Sequence, residues 1–418
     1  MGLLILLLAA CSSKNQTTNS STISYCTKTL SSTGFVTPSA AGSNELTFDI
    51  GKSSICRNNL NIPCTSITLC IPGTTQCQVV NNILIDTGSY GLRIFSHALQ
   101  NNLCQGLLPK KNGTNFIGEC AHFGSANLWG GVAIASIQLG QEPLIETPIQ
   151  VINTSFGAIP AVCSSAPSNP KAAGFNGILG VGLGVTDCGS ACVNSAESNI
   201  YYACSATSCV GTTIALTDQI RNPVSLLPTD NQGVILDLTS WANDTTEAGS
   251  ATGTLIFGIA TQSNNSLSDK TIYGANAHYN LTTVFSSTTL TNSFIDSGTN
   301  TLSFPNLMNL TECTDYLGFY CPETNFIATA NTISATNASI HNNISFIITN
   351  TDTLINTGNR VFSTLGSKGS TNSFDWGLPF FLGRAVAICM NGASCNGTTG
   401  PFWACLQMAS ATRQYLNT

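Results

Sequence analysis

Val79-Val80-Asn81-Asn82-Ile83-Leu84-Ile85-Asp86-Thr87-Gly88-Ser89 decides the reading of this chain. The apolar run Ile83, Leu84, Ile85 predicts a buried strand that delivers a carboxylate at its end, and a Thr-Gly turn comes at once. The pattern returns downstream as Ser293-Phe294-Ile295-Asp296-Ser297-Gly298-Thr299. In each copy glycine lets the backbone turn tightly beside the acid, and the flanking hydroxyls can hydrogen-bond it in place. One Asp-Thr-Gly is a common turn. Two copies, each after an apolar strand, are far more specific.

A second pair of motifs accompanies the first. Gly174-Phe175-Asn176-Gly177-Ile178-Leu179-Gly180 lies beyond Asp86 at nearly the distance at which Phe380-Phe381-Leu382-Gly383 lies beyond Asp296. Each half thus reads strand, Asp-hydroxyl-Gly, then two apolar residues and Gly. From about Asn44 onward the chain resembles the pepsin-like aspartic peptidases, whose two lobes each carry such a loop closed by a hydrophobic-hydrophobic-Gly strand. The resemblance implies a mainly β, bilobal double β-barrel with the active-site cleft between the lobes. It implies that Asp86 and Asp296 are the catalytic pair. Thr87 and Ser297 match the residues that brace the two loops, and Ser89 and Thr299 match those that bond the outer carboxylate oxygens. Gly88 and Gly298 complete the loops.

The same resemblance places the flap hairpin at His122-Phe123-Gly124-Ser125-Ala126-Asn127-Leu128-Trp129-Gly130-Gly131. His122, Phe123, Gly124 and Trp129 are therefore the expected flap and substrate-binding residues. Phe123 stands where the family has a flap tyrosine, and the Trp129 indole N–H is the expected substitute for its hydroxyl hydrogen. Arg93 stands where the family usually has tryptophan, and Arg384 where an acid commonly comes after the glycine. Structural ion pairs are the expectation for both arginines. Phe374-Asp375-Trp376-Gly377-Leu378-Pro379-Phe380-Phe381-Leu382-Gly383-Arg384, taken with Gly88-Ser89-Tyr90-Gly91-Leu92-Arg93, is similar to an uncharacterised bacterial family of unknown function with a pepsin-like core.

Short β-type runs alternate with Gly, Pro and Asn turns, and no long helical period appears. The 418 residues suffice for two cores. The expected division is an N-terminal lobe over 46–230, with a Cys-rich insertion at 186–212, and a C-terminal lobe over 231–418. Charged residues make up only 8%, so Asn, Ser and Thr carry the polarity. A net charge of −6 without a basic cluster argues against a nucleic-acid partner.

Met1-Gly2-Leu3-Leu4-Ile5-Leu6-Leu7-Leu8-Ala9-Ala10 is too short to span a bilayer and reads as a signal peptide over 1–10. Leu8-Ala9-Ala10-Cys11 looks like a bacterial lipobox, which implies lipidation of Cys11 and anchorage to an envelope membrane, the outer membrane being the expected one. An ordinary secretory signal is the alternative. Residues 11–45 lack periodicity and are expected to form a flexible tether. The 18 cysteines imply disulfides and an oxidising compartment. With Cys11 set aside an odd number remains, so at least one is expected to be unpaired or bonded to another chain. Short spacing favours Cys70 with Cys77, Cys188 with Cys192, Cys204 with Cys209, and Cys313 with Cys321. A zinc reading of these pairs is weak, because only 4 histidines are present and none accompanies a Cys pair at ligand spacing.

The chain holds no Gly-x-Ser-x-Gly elbow, Walker loop or His-Glu-x-x-His. The expected function is an exported aspartic endopeptidase acting on peptide or protein substrates through a water activated by Asp86 and Asp296, with no metal or cofactor and an optimum below neutral pH. The alternative is a catalytically silent pepsin-fold binding or inhibitor module of the bacterial envelope.

Overall fold

A computed structural model describes residues 23–406 apart from Thr27, Ser125 and Asn243. The signal peptide, Cys11, the first part of the tether and residues 407–418 lie outside the described residues.

The protein is mainly β, with only short helices. In the first lobe Pro63–Cys70 and Cys77–Asp86 form an antiparallel hairpin, closed by the Cys70–Cys77 disulfide at its turn. Asn82 takes a left-handed backbone (φ 57°), which an asparagine tolerates better than most residues. Beyond it Ile83, Leu84 and Ile85 are all buried, because both faces of the strand are covered there. Gly177–Val181 runs parallel to this strand and antiparallel to Tyr90–Phe95. Tyr90–Phe95 runs parallel to Ile145–Ile152, which pairs with Asn127–Gln138 and so joins the flap hairpin.

Both halves contribute to one sheet beneath the lobes. Its strand order is Glu45–Ile50, Ala251–Phe257, Gly233–Asp237, Ala385–Cys389, Phe402–Leu406 and Lys270–Gly274. Alternation along Gly233–Asp237 shows how the two faces are used. Val234 and Leu236 face the main core, whereas Ile235 faces a smaller cluster with Ile256, Ala387 and Phe402. The second lobe is a seven-stranded sheet around Phe285, Phe304, Phe346, Phe374 and Trp376. Phe374 and Trp376 stack at 4.0 Å between centroids. Such pairs add roughly 0.5–1.5 kcal/mol beyond their area burial.

Among the described residues eight disulfides are formed, including the four short-range pairs expected from spacing. Among the described residues the unpaired thiol is Cys405, which is buried. A chain so cross-linked is one exported to an oxidising environment. Residues 186–212 are joined to the first lobe by pairing and not by a staple: Tyr201–Cys204 adds a strand to Asn115–His122, and the two disulfides of this segment close within it.

The tether expectation fails from Ile23 onward. The Tyr25 ring is buried 4.8 Å from Phe156, Cys26 is bonded to Cys104, and the Ser39 N–H donates to Gln138. A few irregularly spaced anchors hold this arm, so no periodicity marks it. The Cys26–Cys104 bond closes a loop of 78 residues. Replacing both cysteines by serine is expected to lower stability by about 2–4 kcal/mol, read from denaturant midpoints. An unchanged midpoint would show that the arm behaves as a tether after all.

Candidate active site

Each acid ends a strand that lies parallel to a short neighbour. Asp86 is in register with Gly180. In the second lobe the neighbour is Asp375–Trp376, with Phe294 opposite Asp375 and Ile295 opposite Trp376. The element that closes the Asp296 loop is therefore Asp375-Trp376-Gly377. The expected Phe380-Phe381-Leu382-Gly383 does not form that strand; its two phenylalanines end the helical turn Leu378–Phe381. The apolar pattern points to the wrong glycine because a carboxyl stands at Asp375, where the motif calls for an apolar residue.

The two loops meet face to face. A Cβ on Gly88 would come within 2.5 Å of Asp296 Cγ, and one on Gly298 within 2.6 Å of Asp86 Oδ1. Only glycine permits this approach. The Ser297 N–H donates to Thr87 Oγ1 (2.9 Å) and the Thr87 N–H to Ser297 Oγ (3.2 Å). Their hydroxyls in turn donate across the lobes, Ser297 to Ile85 O (2.8 Å) and Thr87 to Ile295 O (3.4 Å). The Gly88 and Gly298 N–H groups donate to the inner oxygens of Asp86 (2.8 Å) and Asp296 (2.7 Å). Ser89 donates to Asp86 Oδ2 (2.5 Å) and Thr299 to Asp296 Oδ2 (3.0 Å). The eight loop residues singled out in the sequence are thus in one place.

Burial, then the neighbouring charge of Asp86, then that of Asp375 and a hydrogen bond with Asp86 hold the Asp296 carboxyl well above the usual range; the Gly298 N–H opposes them. Two carboxyls so close cannot both ionise cheaply. Beside them a pocket of about 160 Å³ is lined by Thr87, Gly88, Tyr90, Tyr279, Phe294 and Trp403, among others. Tyr90 and Tyr279 meet edge to face at 5.7 Å. Burial, then Tyr279 and the two aspartates, push the Tyr90 phenol up. The sequence motifs alone assign no role to Tyr90, Tyr279 or Asp375. Adjacency to Ser89 is a signal for Tyr90; Tyr279 carries none.

The flap residues separate. His122 is exposed, its ring bonded to Asn127 and to Asn199 O, and Gly124 is exposed. Phe123 is half-buried against the cluster of Leu84 and Ile178, its ring 5.7 Å from the Arg93 guanidinium. Trp129 does not serve the cleft. It is fully buried, and its indole N–H donates to Phe156 O at 2.7 Å. The strand alternation turns it into the lobe, against Phe156 and Tyr202.

Arg93 is buried and paired with Glu119 (2.5 Å) and Asp187 (3.1 Å). Tyr201 donates to Asp187 Oδ1 (2.7 Å) and accepts from the Ile220 N–H (2.7 Å). Burial, and then Glu119, push the Asp187 carboxyl strongly up against the pull of Arg93. This cluster fixes the 186–212 segment to the flap strand. Arg384 donates to Phe380 O (2.5 Å) and lies 4.6 Å from that ring. Cys313, Cys321 and Asp352 converge in the geometry of a metal site, but the two sulfurs are bonded to each other, so this set does not fit a metal.

Arg93→Met strands two buried acids and is expected to cost roughly 3–5 kcal/mol, measured by urea unfolding at neutral pH, with part of the loss recovered in acid as the acids protonate. Asp296→Asn should act in the opposite sense. A carboxyl whose folded pKa is raised leaves the folded state holding more protons than the unfolded one, so its contribution to stability falls as pH rises. The variant removes that penalty. Its unfolding midpoint should exceed that of the parent at pH 7, with a smaller difference at pH 4. A difference that does not grow with pH would contradict the raised carboxyl.

The aspartic proteinase from Irpex lacteus matches this structure with a TM-score of 0.50 at 15% identity, covering 90% of this chain and 99% of that one. The likeness establishes the pepsin-like fold. No curated protein matches the sequence. Residues 38–405 match the family described as "Protein of unknown function (DUF3443)". With the match spanning nearly all of the folded chain, the protein belongs to this DUF3443 family, carried on a pepsin-like fold.

Proposed function

We propose that this protein is an aspartic endopeptidase of the bacterial envelope. The reading rests on the contact of Asp86 and Asp296 across the lobes with every supporting hydroxyl in place. A decayed site has no reason to keep all four.

The pair with one shared proton supplies both halves of the chemistry. The ionised carboxyl takes a proton from a water lying between the two acids, and the water oxygen attacks the scissile carbonyl carbon. The protonated carboxyl gives its proton to the carbonyl oxygen. In the resulting gem-diol the amine nitrogen takes the proton from the protonated carboxyl, the C–N bond breaks, and one diol hydroxyl returns its proton to the ionised carboxyl, so that the amine and the carboxylic acid leave and the pair again holds one proton. The Thr87 and Ser297 cross-bonds hold the two acids at contact against their repulsion. The pocket by Tyr90 and Tyr279 supplies an aromatic wall for a peptide side chain. Anchorage through Cys11 on a short leader from Ile23 would present the cleft at a membrane surface.

A binding module without turnover is the second reading, favoured by Phe123. It lacks the hydroxyl expected at the flap and packs on the first lobe. Asp86→Asn and Asp296→Asn separate the two. Each is expected to reduce peptide cleavage by at least about 10³-fold while the protein stays folded, and a statine-type inhibitor should block the parent. Activity should fall as pH rises and the shared proton is lost. Equal background from parent and variants with a diverse peptide library would leave the binding reading standing.

A further inference from the structure

Asp375 takes no part in the chemistry above, yet it stands beside it. It lies opposite Phe294, two residues before Asp296. At the same register of the first lobe Ile178 lies opposite Leu84, two residues before Asp86. One lobe therefore places an aliphatic side chain where the other places a carboxyl. Asp375 is half-buried, and its Oδ1 is buried without a hydrogen-bond partner among the described residues.

The Thr299 hydroxyl lies near enough to pull the Asp375 carboxyl down, and the same group donates to Asp296 Oδ2 at 3.0 Å. A threonine hydroxyl has one hydrogen. While it serves Asp296, Asp375 can bond to Thr299 only by bringing a proton of its own. When Asp375 ionises, the hydroxyl turns to it, and Asp296 loses a donor while gaining a negative neighbour. Both changes make Asp296 hold its proton more tightly.

The titratable groups that face Asp375 are Asp86 and Asp296. The strand on its other side, Leu302–Phe304, brings Ser303 into register. One strand further, Lys368 is exposed and held by Glu312 at 2.8 Å. The helical turn Leu378–Phe381 is apolar.

We propose that Asp375 is a positioning residue which, through Thr299, keeps the shared proton on the Asp86–Asp296 pair as pH rises past neutrality. This rests on the reading of that pair as a proton-sharing catalytic couple. Burial first, and then Asp86, push the Asp375 carboxyl up to about 8, against the Thr299 hydrogen bond. The third acid thus ionises in the range where the pair would otherwise lose its proton.

The test is a carbon-13 NMR titration of aspartate carboxyls in the intact protein, comparing the parent, Asp375→Asn and Asp375→Glu, with Asp86→Asn and Asp296→Asn for assignment. Asparagine keeps the shape and a donor to Thr299 but cannot ionise. In Asp375→Asn the upper titration of the pair is expected about one pH unit lower, and Asp375→Glu should restore it. Where peptide is cleaved, the upper limb of the pH–rate profile should move with it, with little change at acid pH. An upper titration unchanged in Asp375→Asn overturns the proposal, as does equal loss of activity at every pH. If neither variant folds, the parent spectrum decides: Asp375 titrating in the ordinary carboxylate range overturns it. Absence of cleavage by the parent would count against the peptidase and leave the titration to judge Asp375.

Discussion

Two acids that repel each other are held at contact by hydrogen bonds that cross between the lobes. The Thr87 and Ser297 bonds tie each loop to the strand behind the other. Their effect is geometric before it is energetic. Net hydrogen bonds of this kind contribute on the order of 1 kcal/mol each, but four of them fix the separation of the carboxyls. The inner oxygens then meet backbone N–H groups that cannot move away. The shared sheet and the aromatic core of the second lobe provide the rigidity against which that small set of bonds works.

The charge pattern obeys the same constraint. Two groups of buried charged residues show this most clearly. Arg93 with Glu119 and Asp187 locks the Cys-rich segment to the flap strand. The Asp86, Asp296 and Asp375 group has no cation among its influences, which come from other acids, hydroxyls and backbone N–H groups. Both clusters hold a carboxyl above its usual range, Asp187 in spite of Arg93, and Asp296 and Asp375 with no cation beside them among the described residues.

The loops are legible in the sequence because each needs an acid, a hydroxyl and a glycine in fixed order, and no other order lets the backbone pass that close. The pepsin-like class is legible for the same reason, since the motifs recur. The failures share a different cause. Spacing from Phe123 puts Trp129 near the cleft, but strand alternation decides which way an indole faces. Asp375 escapes the motif because a polar residue breaks the apolar signature of a strand that its neighbours Phe374 and Trp376 nevertheless hold in place. The arm around Tyr25 and Cys26 is invisible because its anchors are tertiary contacts with Phe156 and Cys104. Tyr279 enters the site by the crossing of the lobes, which no local pattern encodes.

The sheet beneath the lobes carries a consequence for taking the molecule apart. Glu45–Ile50 opens the amino-terminal half of the chain, yet it pairs along its length with Ala251–Phe257. A cut near residue 230 would leave the amino-terminal piece with that strand's ladder open. The carboxyl-terminal piece would expose the matching edge. Unpaired edges of this kind seek any strand that fits. The two pieces are therefore not independent modules: each carries an edge whose partner strand lies in the other.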